Sequence, residues 1–194
     1  GMNMNASIIG EYLQHYNIPA KWFFGHVEDE LFIQRFDITV KALTALINLK
    51  VAKVALIGGI APGFDNQYYD ERKLEKRFGT IVYRNLEFSD VKNKALSYKN
   101  TEINDILQSF QQEYDWVSSL AQQTLEKHAR IYKAFQDIKE ENQLDALAVG
   151  CWPKYRLELE MVPCATIGRL NNEGIITACE GDVYGLLTMM AMRY

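Results

Sequence analysis

Apolar residues along the chain recur at two spacings, and the switches between them mark the elements. Ile8, Ile9, Tyr12, Leu13 and Tyr16 keep helical spacing across Ala6 to Tyr16, and Pro19 closes that segment. Lys21 to Phe24 reads as extended, the opening strand of a strand, turn and helix unit. Gly25 and the acidic Glu28, Asp29 and Glu30 suit the first turn of a helix reaching about Asn48, because carboxylates meet the positive end of a helix dipole. Val51 to Ile57 is a compact apolar run closed by Gly58 and Gly59, the pattern of a strand buried on both faces. After a loop through Pro62 to Asp65, Glu71 to Phe78 reads as a helix ending at Gly79. The β-branched and aromatic residues from Thr80 to Leu86 then read as a strand.

Between about Asp90 and Glu141 the chain has neither Pro nor Gly, and Ile103, Ile106, Leu107, Phe110 and Tyr114 keep helical spacing. Two helices are expected there, the second from about Trp116 to Ile138. Asp145 to Val149 is the next buried strand, and Cys151-Trp152-Pro153 breaks it. Ile175 to Cys179 is the last strand, and Val183, Leu186, Leu187 and Met190 form the apolar stripe of a closing helix. Strands and helices in alternation predict an α/β chain: a three-layer α/β/α arrangement around a mostly parallel sheet, Rossmann-like (flavodoxin-like), in a single domain over residues 1–194. A chain of 194 residues can bury a core that needs neither disulfides nor a structural metal.

Charge removes several function classes. A net charge of -4, with no long run of one sign, provides no basic stripe for nucleic acid and no polybasic anchor for a membrane. Neither an apolar stretch of about 18 residues nor a signal peptide is visible. Cys151, Cys164 and Cys179 are odd in number and widely spaced, so they read as reduced cytoplasmic thiols rather than as a disulfide framework or a pair of close thiolates for zinc. Gly1 before Met2 resembles the remnant of a cleaved expression tag.

Candidate chemistry gathers at the expected strand ends. The loop GGIAPGF lacks both the G-x-G-x-x-G spacing and the Lys-Ser/Thr of a phosphate cradle and reads as a glycine turn. His15 and His128 fall on expected helices and read as helix-surface residues, and His26 lies in a loop. Cys151 has no recognisable base beside it and reads as a packing residue, while Trp152 is a candidate for lining a sugar pocket. Asp182 precedes the closing helix and is placed to cap it, with substrate binding as its other reading. Glu180 ends an apolar strand, where an unpaired carboxylate costs several kcal/mol or shifts its pKa, so it calls for a cation or a proton-transfer role.

With these residues in view, the chain resembles the L-fucose isomerase and L-arabinose isomerase-like family. The resemblance is carried, in order, by IPAKWFFG from Ile18, IGGIAPGFD from Ile57, LEKRFG from Leu74, ALAVGCWP from Ala146, MVPCATIGRLNNEG from Met161 and ACEGDVYGLLTMM from Ala178. It implies an aldose–ketose isomerase that binds a divalent metal, typically manganese, and moves a proton between C1 and C2 of a monosaccharide through an enediol. Glu180 matches the family glutamate that ligates the metal and can act as acid/base, so it is the expected catalytic and metal residue.

The resemblance also implies a homo-oligomeric, cytoplasmic parent protein of several domains, of which this chain would be the middle one. The second carboxylate and the histidine of the family site have no matching positions here, and the CWP segment departs from the family's more polar sequence. The domain alone is therefore expected to be inactive and to bind no stoichiometric manganese, because one carboxylate cannot replace a hard ion's hydration shell. The other reading is a stand-alone sugar-binding or regulatory module of the same fold.

Overall fold

The computed structural model describes residues 2–113, 117 and 119–193, with side chains from residue 6 onward. It divides into two compact units, residues 1–43 and 44–194, and the division falls inside one helix, so each unit is described by itself.

In the first unit, helix α1 spans Met2–His15, and the opening turns of α2, which runs Glu30–Val51, complete it. The expected strand at Lys21–Phe24 is absent, and that segment is irregular. Its Phe23 side chain packs on a helix, while Phe24 is exposed. The ring of Phe23 meets Phe32 and Phe36 edge-on at 6.1 and 5.5 Å, and Lys21 donates to Thr39 Oγ1 at 2.6 Å.

In the second unit, β1 (Lys53–Ile57), α3 (Glu71–Phe78), β2 (Ile81–Leu86), α4 (Phe88–Ser97), α5 (Asn100–Glu113), α6 (Gln122–Glu141) and β3 (Ala146–Val149) succeed one another. Then come α7 (Lys154–Leu159), α8 (Cys164–Asn172), β4 (Thr177–Ala178) and α9 (Val183–Met192). Among the described residues the four strands form one sheet in the order β2-β1-β3-β4, every neighbouring pair parallel. Parallel neighbours need helical crossovers, and these cover both faces. The result is the expected three-layer α/β/α domain with flavodoxin-like strand order.

Alternation along the strands sorts the core into two halves. Ala55, Ile57, Leu147 and Val149 face one way, onto a cluster from α4 to α8 that includes the fully buried Phe135 and Tyr155. Val54, Leu56, Ala146 and Ala148 face the other way, onto Leu74 of α3, Leu49 of α2 and Val183, Leu186, Leu187 and Met190 of α9. Each such large side chain removed from water stabilises the fold by roughly 1.5–3 kcal/mol before chain entropy is counted.

Two differences from the expected elements have local causes. The helical stretch after Asp90 holds three helices, because Tyr98 leaves helical geometry (φ -68°, ψ 136°) and the Glu102 carboxylate accepts from Lys99 N to start α5. The expected start at Trp116 and the spacing position Tyr114 lie outside the described residues. Helices α7 and α8 occupy the stretch after the Cys151-Trp152-Pro153 break, for which the sequence pattern gives no element; each has a proline, Pro153 or Pro163, as its N-cap. Among the described residues no helix is long and apolar enough to cross a membrane.

The strand ends depend on glycine. A β-carbon on Gly150 would collide with the carbonyl oxygen of Gly59, and one on Gly181 would lie 2.6 Å from the same atom. We predict that Gly181→Ala, whose φ of 76° adds strain, lowers unfolding free energy by roughly 1–3 kcal/mol in urea titration. Gly168→Ala, in open space on α8, should instead stabilise by about 0.5–1 kcal/mol.

Candidate functional site

Strand order reverses direction between β1 and β3, because the chain passes from β1 outward to β2 and returns to β3 on β1's other side. In open α/β sheets, ligands bind beyond the carboxyl ends of the strands at such a reversal. The segments leaving those ends carry Gly58-Gly59, Gly150-Cys151 and Cys179-Glu180-Gly181. They are tied together by backbone hydrogen bonds: Gly58 N to Leu86 O, Gly150 N to Ile57 O and Gly181 N to Val149 O, all at 2.9 Å.

Glu180 is held in an unusual backbone conformation. Its φ of 58° lies in the left-handed region, and Gly181 beside it has φ 76°. Two consecutive left-handed residues turn the chain sharply from β4 into α9, while Asp182 N donates to Cys179 O at 3.0 Å across the turn. For a glutamate this conformation costs of order 1–3 kcal/mol, a cost that clusters at functional positions. Oε2 of Glu180 is buried and accepts no hydrogen bond from the described residues.

Buried side-chain polar atoms without a partner are few, and their distribution is informative. Among the described residues they are Gln67 Oε1, Tyr69 OH, Tyr155 OH and Glu180 Oε2. All four stand on segments that leave the carboxyl ends of β1, β3 and β4. Unmet hydrogen-bonding capacity costs about 1–3 kcal/mol per group, so each such atom calls for an explanation, and at Glu180 a polar ligand would supply one. Burial raises the pKa of the Tyr155 hydroxyl, which stays protonated and able to donate.

Cys151 and Cys179 are brought together although 28 residues separate them in sequence. Their sulfurs are 3.2 Å apart, and with a Glu180 carboxylate oxygen they form a group whose ligand atoms all lie within 4.8 Å of one another. The reading of the cysteines as lacking a close pair is therefore corrected: parallel neighbours β3 and β4 end side by side, a closeness that sequence spacing does not encode. A hydrogen bond joins the two sulfurs; that bond, and after it burial, raises the Cys151 thiol, while the same bond lowers Cys179. Cys164, at the start of α8, is exposed.

The remaining sequence candidates separate in space. Asp182 is the N-cap of α9, its carboxylate accepting from Gly185 N at 2.7 Å. Trp152 is exposed, joined to Pro153 by a cis peptide bond, and stacks under Arg156 at 5.6 Å. A cavity of about 540 Å³ lies between α5, α6 and α8 and is lined by none of Trp152, Glu180 or Asp182. His128 is part of that lining. It is half-buried, with Nδ1 2.9 Å from Thr166 Oγ1, so it is a packed residue rather than the helix-surface one expected.

No known protein-family model matches the chain. It is similar to curated proteins named sulfoquinovose isomerase: 28% identical over 168 residues to that of Clostridium sp. (strain MSTE9), covering 87% of this chain and 37% of the relative. The corresponding protein of Alkalicoccus urumqiensis is 26% identical over 177 residues, 90% and 39% of the two chains. That of Priestia megaterium (strain ATCC 12872 / QMB1551) is 23% identical over 184 residues, 93% and 40%. The chain thus spans about two-fifths of the length of the curated relatives it matches. These relatives carry the name of a sugar isomerase, in keeping with the L-fucose isomerase-like resemblance.

Structural and chemical roles at these residues are separable by measurement. Asp182→Ala should lower stability by about 0.5–2 kcal/mol in chemical denaturation, whereas Asp182→Asn, which keeps an accepting oxygen, should lose far less. Burial holds His128 below its usual pKa of 6.5, so as pH falls the unfolded chain takes up this proton first and stability declines. The thermal midpoint of the parent chain should therefore fall relative to His128→Gln between about pH 7.5 and pH 5.5, and a constant difference would show that the ring titrates normally.

Proposed function

We propose that this domain contributes Glu180 to the active site of a sugar isomerase that interconverts an aldose and a ketose, with sulfoquinovose, a hexose bearing a sulfonate, as the substrate. The observation that carries the reading is the orphaned Oε2 of Glu180, held by a strained turn that leaves the carboxyl end of β4 beside the loop from β1. The likeness to sulfoquinovose isomerases favours this sugar over fucose.

An isomerase of this class must remove a proton from one sugar carbon and return it to its neighbour. A carboxylate on a left-handed residue between two short segments projects from the backbone as a single group, able to take a proton on one oxygen. Tyr155 OH, Tyr69 OH and Gln67 Oε1 are further buried polar atoms without a partner, on the segments that follow β1 and β3.

Manganese, implied by the family resemblance, suits the oxygen of Glu180 and suits the two sulfurs poorly, because hard dications take oxygen donors. Glu180 would hold such an ion, with further oxygen donors coming from residues outside these 194. When bound, it would supply Lewis-acid stabilisation of the charge that develops on the two sugar oxygens. A homo-oligomeric, cytoplasmic parent protein belongs to the same proposal.

The test is solvent isotope exchange in the full polypeptide that carries this domain. In heavy water with manganese, sulfoquinovose should acquire deuterium at the carbon beside the aldehyde and yield the ketose, read by proton NMR. Glu180→Gln should slow both by roughly 10²–10⁴-fold while circular dichroism is unchanged. Binding of the sugar without exchange would favour the non-catalytic sugar-binding module, and an unchanged rate in Glu180→Gln would remove that residue from the chemistry.

A further inference from the structure

We propose that Cys151 and Cys179 are a site of reversible covalent modification, closing to an intramolecular disulfide when the protein meets a low-molecular-weight disulfide such as oxidised glutathione. This chemistry concerns the two sulfurs alone and is measured without any sugar, so it stands or falls independently of the isomerase reading.

Three features of the geometry carry it. First, the sulfurs stand 3.2 Å apart, so about 1.2 Å of approach brings them to bonding distance. Second, the backbone that bears them is a rigid frame. Ala148 pairs with Ala178 in the parallel ladder, and Gly150 and Gly181 are each hydrogen-bonded to the strand beside them at 2.9 Å. The two sulfurs are thereby held as neighbours rather than meeting by chance. Third, the pair is asymmetric in burial: Cys151 is 5% exposed, whereas Cys179 is only partly buried.

That asymmetry sets the order of events. The sulfur of Cys179, as thiolate, attacks one sulfur of the small disulfide, whose S–S bond breaks and releases one thiol carrying the proton that Cys179 lost. Cys151 then gives up its proton and attacks the Cys179 sulfur of the mixed disulfide, expelling the second small thiol. In sum two protein S–H bonds become one S–S bond, and the reagent takes two electrons and two protons to become two thiols.

The consequence falls on the sheet edge. A bond between these residues would lock the segment carrying Trp152 to the turn carrying Glu180 and would replace two S–H groups beside the carboxylate by a disulfide with no proton to donate. The arrangement joins the oxidation state of the surroundings to the one orphaned carboxylate of the described residues.

The experiment uses Cys164→Ser in the full chain, which removes the exposed third thiol, after chelator treatment and reduction. The protein is incubated with oxidised glutathione, free thiols are trapped by alkylation, and intact mass and peptide maps are read. Both thiols should disappear together without a lasting glutathione adduct, with Cys151 and Cys179 in one cross-linked peptide. The thermal midpoint should rise, and dithiothreitol should restore both thiols. With Cys151 also changed to Ser, glutathione should remain attached at Cys179. Persistence of two free thiols, a stable adduct while Cys151 is present, or a cross-link only between separate chains would overturn the proposal.

Discussion

The carbonyl of Gly59 lies against the backbone of both Gly150 and Gly181, with no room for a β-carbon on either. This approach holds the ends of β1, β3 and β4 within one small region, and the other features of the sheet edge depend on it. Were the three segments separated by ordinary side chains, Cys151 would not touch Cys179, and the turn at Glu180 would not lie beside the loop leaving β1. The hydrogen bond from Ala61 N to Glu180 O, at 3.4 Å, fastens that loop to the turn. Close packing of bare backbone substitutes for side-chain contact, so that peptide groups rather than side chains meet at the ends of these strands.

Most of the fold was legible because its signals are local. Buried strands such as Val54 to Ile57 and Ala146 to Val149 are continuous apolar runs, and the cap at Asp182 is announced by a carboxylate preceding an apolar helical stripe. What was not legible depends on neighbours distant in sequence. Lys21 to Phe24 has the composition of a strand, yet the ring of Phe23 finds Phe32 and Phe36 on a helix, and packing overrides propensity. The division of the long helical stretch at Tyr98 has neither glycine nor proline to announce it.

For the site, Glu180 stood out from sequence because a carboxylate at the end of an apolar strand has no inexpensive explanation. The cysteine pair did not, because its signal is topological: both residues lie just past strand ends, and only the order of strands in the sheet makes those ends adjacent. His128 was misjudged for a related reason. A histidine on an amphipathic helix faces water or a packed neighbour according to what covers it, and here α8 supplies Thr166.

Glu180 occupies a backbone conformation that glycine would adopt freely, and glycine is in fact used at the next position. A chain selected only for thermal endurance would be expected to carry glycine there and to relieve the strain and the buried carboxylate in one step. The glutamate therefore marks a place where durability and chemistry have opposed interests, and drift toward a more robust fold would erase the carboxylate first.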